Sequence, residues 1–168
     1  SVYVTTGNNE VIVASSLGKC IRFNERDVRA TGRGSQGVKS IALTTDDKVV
    51  DMALIKPDSL MLTISENGFG KRSHPDDYRV IQRAGKGVKA GLFDESTGKL
   101  VNLKPINDKE DIIIIAEDGN IIRIEAEEIR VIGRSTKGVK LMRLAEEAKV
   151  ASIAVVPSEE LETEIAES

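Results

Sequence analysis

The sequence predicts an all-β protein made of three propeller-like blades, each a four-stranded antiparallel sheet. Three observations point there. One pattern occurs three times along the chain. Each copy holds short β-branched runs broken by turn dipeptides. Helical periodicity is weak everywhere except in the last residues.

The first runs of each copy form hairpins. They read EVIVASSLGKCIRF, LMLTISENGFGKRS and DIIIIAEDGNIIRI, and their turn glycines Gly18, Gly68 and Gly119 are spaced by 50 and then 51 residues. Asn67-Gly68 and Asp118-Gly119 are strong hairpin-turn dipeptides. A third strand is expected after each Gly-Val-Lys, in VKSIAL, VKAGLF and VKLMRL. A fourth precedes a proline in KVVDMALIKP, KLVNLKP and KVASIAVVP. Pro57, Pro105 and Pro157 lack the N–H that a ladder needs and are expected to end it. The blades then span about 10–57, 59–105 and 111–157 within one domain, 1–157. An acidic tail, 158–168, follows and is expected to be disordered. Units of about 50 residues with four antiparallel strands suit propeller blades. The Trp-Asp and Gly-His pairs of WD repeats and the double glycine of kelch repeats are missing.

Composition narrows the function. The 168 residues are 40% hydrophobic but only 3% aromatic, with no Trp, so the core must be aliphatic. No apolar run is long enough to cross a membrane as a helix. The opening SVYVTTGNNE lacks the basic start and apolar block of a signal peptide, and Ser1 in place of Met suggests a piece of something longer. The single Cys20 suits a reducing cytoplasm. The net charge of −3 conceals an uneven distribution: the five glutamates of SEELETEIAES leave residues 1–157 at +2. The tail is a solvated end or an internal competitor for a basic surface.

The repeat extends into the cations. Arg22, Arg29, Arg33 and Lys39 recur as Arg72, Arg79, Arg83 and Lys89, and again as Arg123, Arg130, Arg134 and Lys140. A further position holds Gln36, Lys86 or Lys137. Burying an arginine is costly unless it is paired, so most of these should reach the surface and form a positive stripe across the blades. Regular cations match duplex DNA, with Arg forks on phosphates and glycines letting backbone N–H groups come close. The candidate phosphate contacts are Arg29, Arg33, Lys39, Arg79, Arg83, Lys86, Lys89, Arg130, Arg134, Lys137 and Lys140. Without a recognition helix, and with one pattern repeated, such a stripe reads shape rather than bases. Too few aromatics are present to stack single strands.

The alternative is structural. The same cations could pair between blades with Glu25, Asp27, Asp76, Asp77, Glu127 and Glu128, leaving a protein-interaction propeller. Arg22, Arg72 and Arg123, inside strands, are the first candidates for such a role. Enzymatic readings find little. GRGSQG and QRAGKG lack the Gly-x-x-x-x-Gly-Lys-Ser/Thr of a P-loop, no Cys/His cluster suggests a metal, and His74 sits alone in its loop. Tyr78 aligns with Val28 and Ile129, as an apolar strand position would. No cofactor is expected.

The phrases FNERDVRATGRGSQGVKSIAL, ENGFGKRS, YRVIQRAGKGVK and IRVIGRSTKGVKLMRL closely resemble the C-terminal domain family of bacterial DNA gyrase A subunits, over residues 10 to 157. The equivalent domain of topoisomerase IV shares the blade pattern. The resemblance implies a β-pinwheel of six blades that exchange strands, whose basic rim bends and wraps duplex DNA for negative supercoiling. It implies a non-catalytic part of a bacterial cytoplasmic enzyme. Its partners would be duplex DNA, the gyrase B subunit, plus the rest of the gyrase A subunit. The family's box Gln-Arg-Arg-Gly-Gly-Lys/Arg-Gly has only the shorter QRAGKG as a match, with Ala84 in place of an arginine. The chain therefore resembles the last three blades, an open arc that a homodimer could close.

Overall fold

The computed structural model describes residues 1–158, so the acidic tail expected over 158–168 lies, from residue 159 onward, outside the described residues. The strands run, in chain order, β1 (Glu10–Ser15), β2 (Lys19–Asn24), β3 (Val49–Leu54), β4 (Leu60–Ser65), β5 (Phe69–Ser73), β6 (Val88–Lys89), β7 (Leu100–Ile106), β8 (Glu110–Ala116), β9 (Ile121–Glu125), β10 (Val139–Lys140) and β11 (Val150–Pro157). They form three antiparallel sheets, ordered β3-β1-β2-β6, β10-β5-β4-β7 and β11-β8-β9. After each hairpin comes one turn of 3-10 helix, at Glu25–Asp27, Pro75–Asp77 and Ala126–Glu128. The all-β, blade-like architecture is the one the repeat predicts.

The hairpins form as expected. The turn glycines sit at φ 82°, 83° and 88° for Gly18, Gly68 and Gly119, a region open to glycine at little cost. At Gly68 space also decides, because a Cβ there would lie 2.7 Å from the Met142 carbonyl oxygen.

The Gly-Val-Lys segments depart from the local expectation of a third strand in each blade and follow the strand exchange that the resemblance implies. They do not join their own blade. β6, from the second repeat, pairs with β2 of the first sheet, Val88 opposite Cys20. β10, from the third repeat, pairs with β5 of the second sheet, Val139 opposite Gly70. Gly87 and Gly138 make this possible. A Cβ at Gly87 would fall 2.4 Å from the Cys20 carbonyl oxygen, and one at Gly138 would fall 2.6 Å from that of Gly70. These glycines seat a borrowed strand rather than opening the backbone to a ligand. Val38 and Lys39 belong to no strand, and the third sheet has three strands among the described residues. Ile121, at the position of the buried Cys20, is accordingly 63% exposed.

One of the three prolines is also placed differently. Pro57 follows β3 and Pro157 ends β11 as expected, but Pro105 lies within β7, one residue before its end. Pro105 and Pro157 are at or next to the last residue of an edge strand, where a missing N–H leaves no partner unsatisfied.

The core lies between the sheets. Ile12, Ala14, Cys20 and Ala53 of the first pack on Met61, Tyr78, Leu100 and Leu103 of the second. Leu62, Ile64 and Ile106 of the second meet Ile112, Ile114, Ile129 and Ile153 of the third. This explains why β4 is buried along nearly its whole length: the middle sheet is covered on both faces. Each fully buried Leu or Ile contributes about 1.5–3 kcal/mol. One polar cluster joins the inner strands. The buried Asp51 carboxylate of β3 accepts from the Asn102 side-chain amide at 3.1 Å, the Leu103 N–H at 3.1 Å and the Lys104 ammonium at 3.0 Å, all on β7. Asp51→Ala would strand these donors and should destabilise the protein by about 3 kcal/mol. Urea unfolding followed by circular dichroism measures the loss, and an unchanged midpoint would contradict it.

Candidate nucleic-acid interface

The repeated cations divide into two groups, and burial decides which is which. The strand arginines turn inward, Arg22 and Arg72 to the next blade and Arg123 within its own sheet. Arg22 donates from Nη1 to the carbonyl oxygens of Pro75 (2.7 Å) and Tyr78 (3.2 Å), while Nε and Nη2 hold Glu10. Arg72 repeats this one blade on, with Nε to the Ile129 carbonyl oxygen at 2.8 Å, Nη2 to that of Glu127 at 3.4 Å and Nη1 to Asp108. Arg123 holds Asp111 through Nε at 2.6 Å. Among the described residues the only loop acid of the expected inter-blade pairing to meet a cation is Asp76, 3.9 Å from Arg22. The acids that do most of the pairing, Glu10, Asp108 and Asp111, lie elsewhere.

Two of the candidate contacts serve the same joint from the opposite side. Arg83 donates from Nε to the Asp27 carbonyl oxygen at 2.7 Å and from Nη1 to that of Lys39 at 3.1 Å. Arg134 does the same to Asp77 at 2.7 Å and Lys89 at 2.8 Å. Each junction is thus clasped by two arginines reaching in opposite directions. These guanidiniums are half-buried and have spent two donors on the backbone.

The other candidates remain at the surface. Arg29, Arg33, Lys39, Arg79, Lys86, Lys89, Arg130 and Lys140 are exposed, and among the described residues their side chains make no hydrogen bond or ion pair. Lys140 lies over the Phe69 ring, 5.9 Å from its centre. Lys137 is exposed but engaged by Asp94 and by the Ser96 hydroxyl at 3.2 Å. That contact comes first among the causes that hold the Asp94 carboxyl well below the usual carboxylate range.

The corners that carry these cations are strung together. The N–H of Ala42 donates to the Gly85 carbonyl oxygen at 2.9 Å, and Leu92 donates to Thr136 at 3.2 Å. Arg83 and Arg134 bring their own corners against the backbone of Lys39 and Lys89. The exposed cations of one repeat therefore continue into those of the next. Strand exchange adds a cation that the repeat alone conceals. Lys19 of β2 stands directly opposite Lys89 of β6. Like charges facing each other on neighbouring strands are destabilising, and no carboxylate pairs with either among the described residues. The register of the borrowed strand is the signal that would have found Lys19.

Lys71 is a second addition. Its ammonium is buried beneath the 133–136 corner and donates to the carbonyl oxygens of Gly133 (3.2 Å), Arg134 and Thr136 (2.7 Å). Burial, then the nearby Arg134, lowers its pKa to about 8. Other reactive groups are silent. Burial raises the Cys20 thiol to about 12 and pushes the Tyr78 phenol above its usual range, so neither is ready as a nucleophile. Among the described residues no group of His, Cys, Asp and Glu could hold a metal ion, and no helix is long and apolar enough to cross a membrane.

A family model described as the DNA gyrase C-terminal domain, beta-propeller, matches residues 9–56, 60–107 and 110–157. The chain belongs to the DNA gyrase C-terminal domain family. The three matched segments coincide with the three hairpin-bearing repeats. The A subunit of DNA gyrase from Ureaplasma parvum serovar 3 is 42% identical over 164 residues, which cover 98% of this chain and 20% of that protein. Its Salmonella typhimurium counterpart is 39% identical over 152 residues, covering 90% of this chain and 17% of its own length. The chain therefore spans about a fifth of the curated relatives it matches. Among solved structures, a gyrase A C-terminal domain superposes with a TM-score of 0.85 at 26% identity, covering 90% of this chain and 52% of that one. The C-terminal domain of a DNA topoisomerase IV reaches 0.90 at 24% identity, covering 99% of this chain and 52% of that one, and shows the shared fold.

Two outcomes follow for this gyrase-family rim. Ala84 sits at φ 66°, where a side chain is strained and glycine is not. Ala84→Gly should raise stability by about 1 kcal/mol, read as a higher urea midpoint. For Lys71, the unfolded chain keeps the proton up to its ordinary value of 10.5, whereas the folded protein releases it near 8. The unfolded state binds more protons in that window, so the stability due to Lys71 rises from pH 8 toward pH 10.5. Relative to Lys71→Met, the wild-type unfolding free energy should gain over that range; a constant difference would refute it.

Proposed function

We propose that this domain is a duplex-DNA binding and bending module of a type IIA topoisomerase of the gyrase kind. In this reading its rim wraps DNA and presents it for negative supercoiling by the rest of the gyrase A subunit with the gyrase B subunit. The observation that carries it is the row of exposed cations at matched positions, left without acidic partners while the arginines between blades are engaged by backbone carbonyl groups and carboxylates. A fold that needed Arg29, Arg79, Arg130, Lys39, Lys89 and Lys140 for its own stability would have paired them. Their charge is available to a regular polyanion, where each neutralised phosphate releases counterions.

Binding would be insensitive to base sequence. Among the described residues no helix is available to enter a major groove, and one corner recurs from blade to blade. Arginine and lysine would share the work: Arg29, Arg79 and Arg130 as forks on phosphate oxygens, the lysines as point charges. Arg33, exposed and without the backbone partners of Arg83 and Arg134, would join them. Arg83 and Arg134 would shape the rim first and contact phosphate only through their remaining donors. The domain itself would cut no DNA and hydrolyse no nucleotide.

Replacing Arg79, Lys86 and Lys89 together by Ala should flatten the slope of log affinity against log salt by about 0.9 per lost phosphate contact, with the melting temperature not lowered. Arg83→Ala should instead lower the melting temperature. Fluorescence anisotropy with a labelled duplex and thermal melts decide; a triple variant that melts early but binds like wild type would favour the structural alternative. Asp94→Asn frees Lys137 and should tighten binding about 2- to 5-fold at low salt, in line with the modest strength of an exposed ion pair. No gain in that titration would assign Lys137 to the fold rather than the rim.

A further inference from the structure

We infer that Lys71 is a positioning residue that sets the geometry of the 133–137 corner, and with it the contribution of Lys137 to duplex binding. This rests on the reading of that corner as part of the DNA-binding rim.

The residue at this point of β5 has no packing reason to be a cation. The other two repeats carry Ile21 and Ile122 there. Lys71 is nonetheless 1% exposed. Among the described residues it has no carboxylate partner, although a buried charge without one is costly. What it has instead is a single loop of the next repeat. Its ammonium donates to the carbonyl oxygens of Gly133, Arg134 and Thr136 and lies 3.3 Å from the Thr136 hydroxyl. Two residues along the same strand, the Ser73 hydroxyl donates to the Ile132 carbonyl oxygen at 2.8 Å. β5 thereby gathers the carbonyl groups of the corner inward, and Ser135 and Lys137 stand in solvent on its other side. The matching corner of the second repeat is held differently. Ile21 stands on the side of Gly85 where a Cβ would point, 3.6 Å from that position, and offers no hydrogen-bond donor. Both corners accept a backbone bond from the preceding repeat, Ala42 N–H to Gly85 and Leu92 N–H to Thr136, but among the described residues only the 133–136 corner adds oriented side-chain bonds from the strand beneath it.

A group that serves only stability and one that serves position give opposite results on replacement. Methionine fills the same space without the cost of a buried charge, so Lys71→Met should melt within a few degrees of wild type or higher. Its corner should nevertheless loosen. In hydrogen exchange of the whole 168-residue chain, the amides tied to the corner, Leu92 on the Thr136 carbonyl oxygen and Ile132 on that of Arg72, should exchange at least about 10-fold faster, with the β1–β3 sheet unchanged. Affinity for a labelled duplex should fall about 3- to 10-fold. The loss should overlap with that of Lys137→Ala, so the double variant binds better than the product of the single losses predicts, whereas Lys71→Met and Lys39→Ala should multiply. Lys71→Ile, the residue of the other repeats, gives the same test if the methionine variant fails to fold. Unchanged exchange in the corner, or losses that multiply strictly with Lys137→Ala, would overturn the inference. A wild-type chain that binds no duplex would overturn the functional reading instead, and exchange would still decide whether Lys71 holds the corner.

Discussion

The backbone pairing that lays Val88 on Cys20 and Val139 on Gly70 ties each repeat to the one before it, and the remaining architecture follows from that bond. A three-stranded antiparallel unit with apolar residues on both faces cannot remain alone in water. Here it gains a fourth strand from the next repeat and covers a face with the next sheet. The two needs are met by one chain segment, which leaves its own hairpin, crosses to the preceding blade and returns to the inner strand. The glycine before each borrowed Val-Lys is required because the two backbones come too close for a Cβ. The arginine clasps are subordinate to this crossing, since they bind carbonyl groups that the crossing brings within reach.

The same geometry sorts the charges. Arginines in the joint end on backbone carbonyl groups and a few carboxylates, where five fixed donors and a permanent charge are most useful. The remaining cations of the crossing segments, lysines and arginines alike, stay in water. The polar inner cluster at Asp51 and the cationic outer edge thus lie at opposite ends of the strand order, with the aliphatic core between them. Charges of the joint are satisfied internally, and charges of the edge are not. This asymmetry supports an anionic partner more directly than the net charge, which is negative.

Much of this was legible in the sequence. The threefold pattern, the hairpins at Gly18, Gly68 and Gly119 and the inward role of Arg22, Arg72 and Arg123 could all be read, because local turn chemistry and burial cost act on residue type. The destination of Val88 and Val139 could not be read from the residues, because a two-residue strand has the same composition whichever blade it joins. That one ambiguity had several consequences. It concealed the Lys19–Lys89 opposition, misassigned the glycines to ligand approach and left Arg83 and Arg134 among the free cations. Pro105 went astray for a related reason: a proline ends a ladder only on the side that needs its N–H, and sequence does not reveal which strands are edges. Lys71 was invisible for the opposite reason, since it breaks the repeat and a single lysine in a strand carries no pattern.

The crossing also determines where mechanical load goes. A pull on Lys89 is not borne by the sheet of its own repeat. It passes through β6 into β2, and at Lys140 through β10 into β5. Tension along the outer edge is therefore transmitted across each junction by hydrogen-bonded backbone, and neighbouring blades share strain as links of a chain do. Such an edge resists being peeled away one blade at a time, because releasing one repeat from its load means stripping a strand out of another.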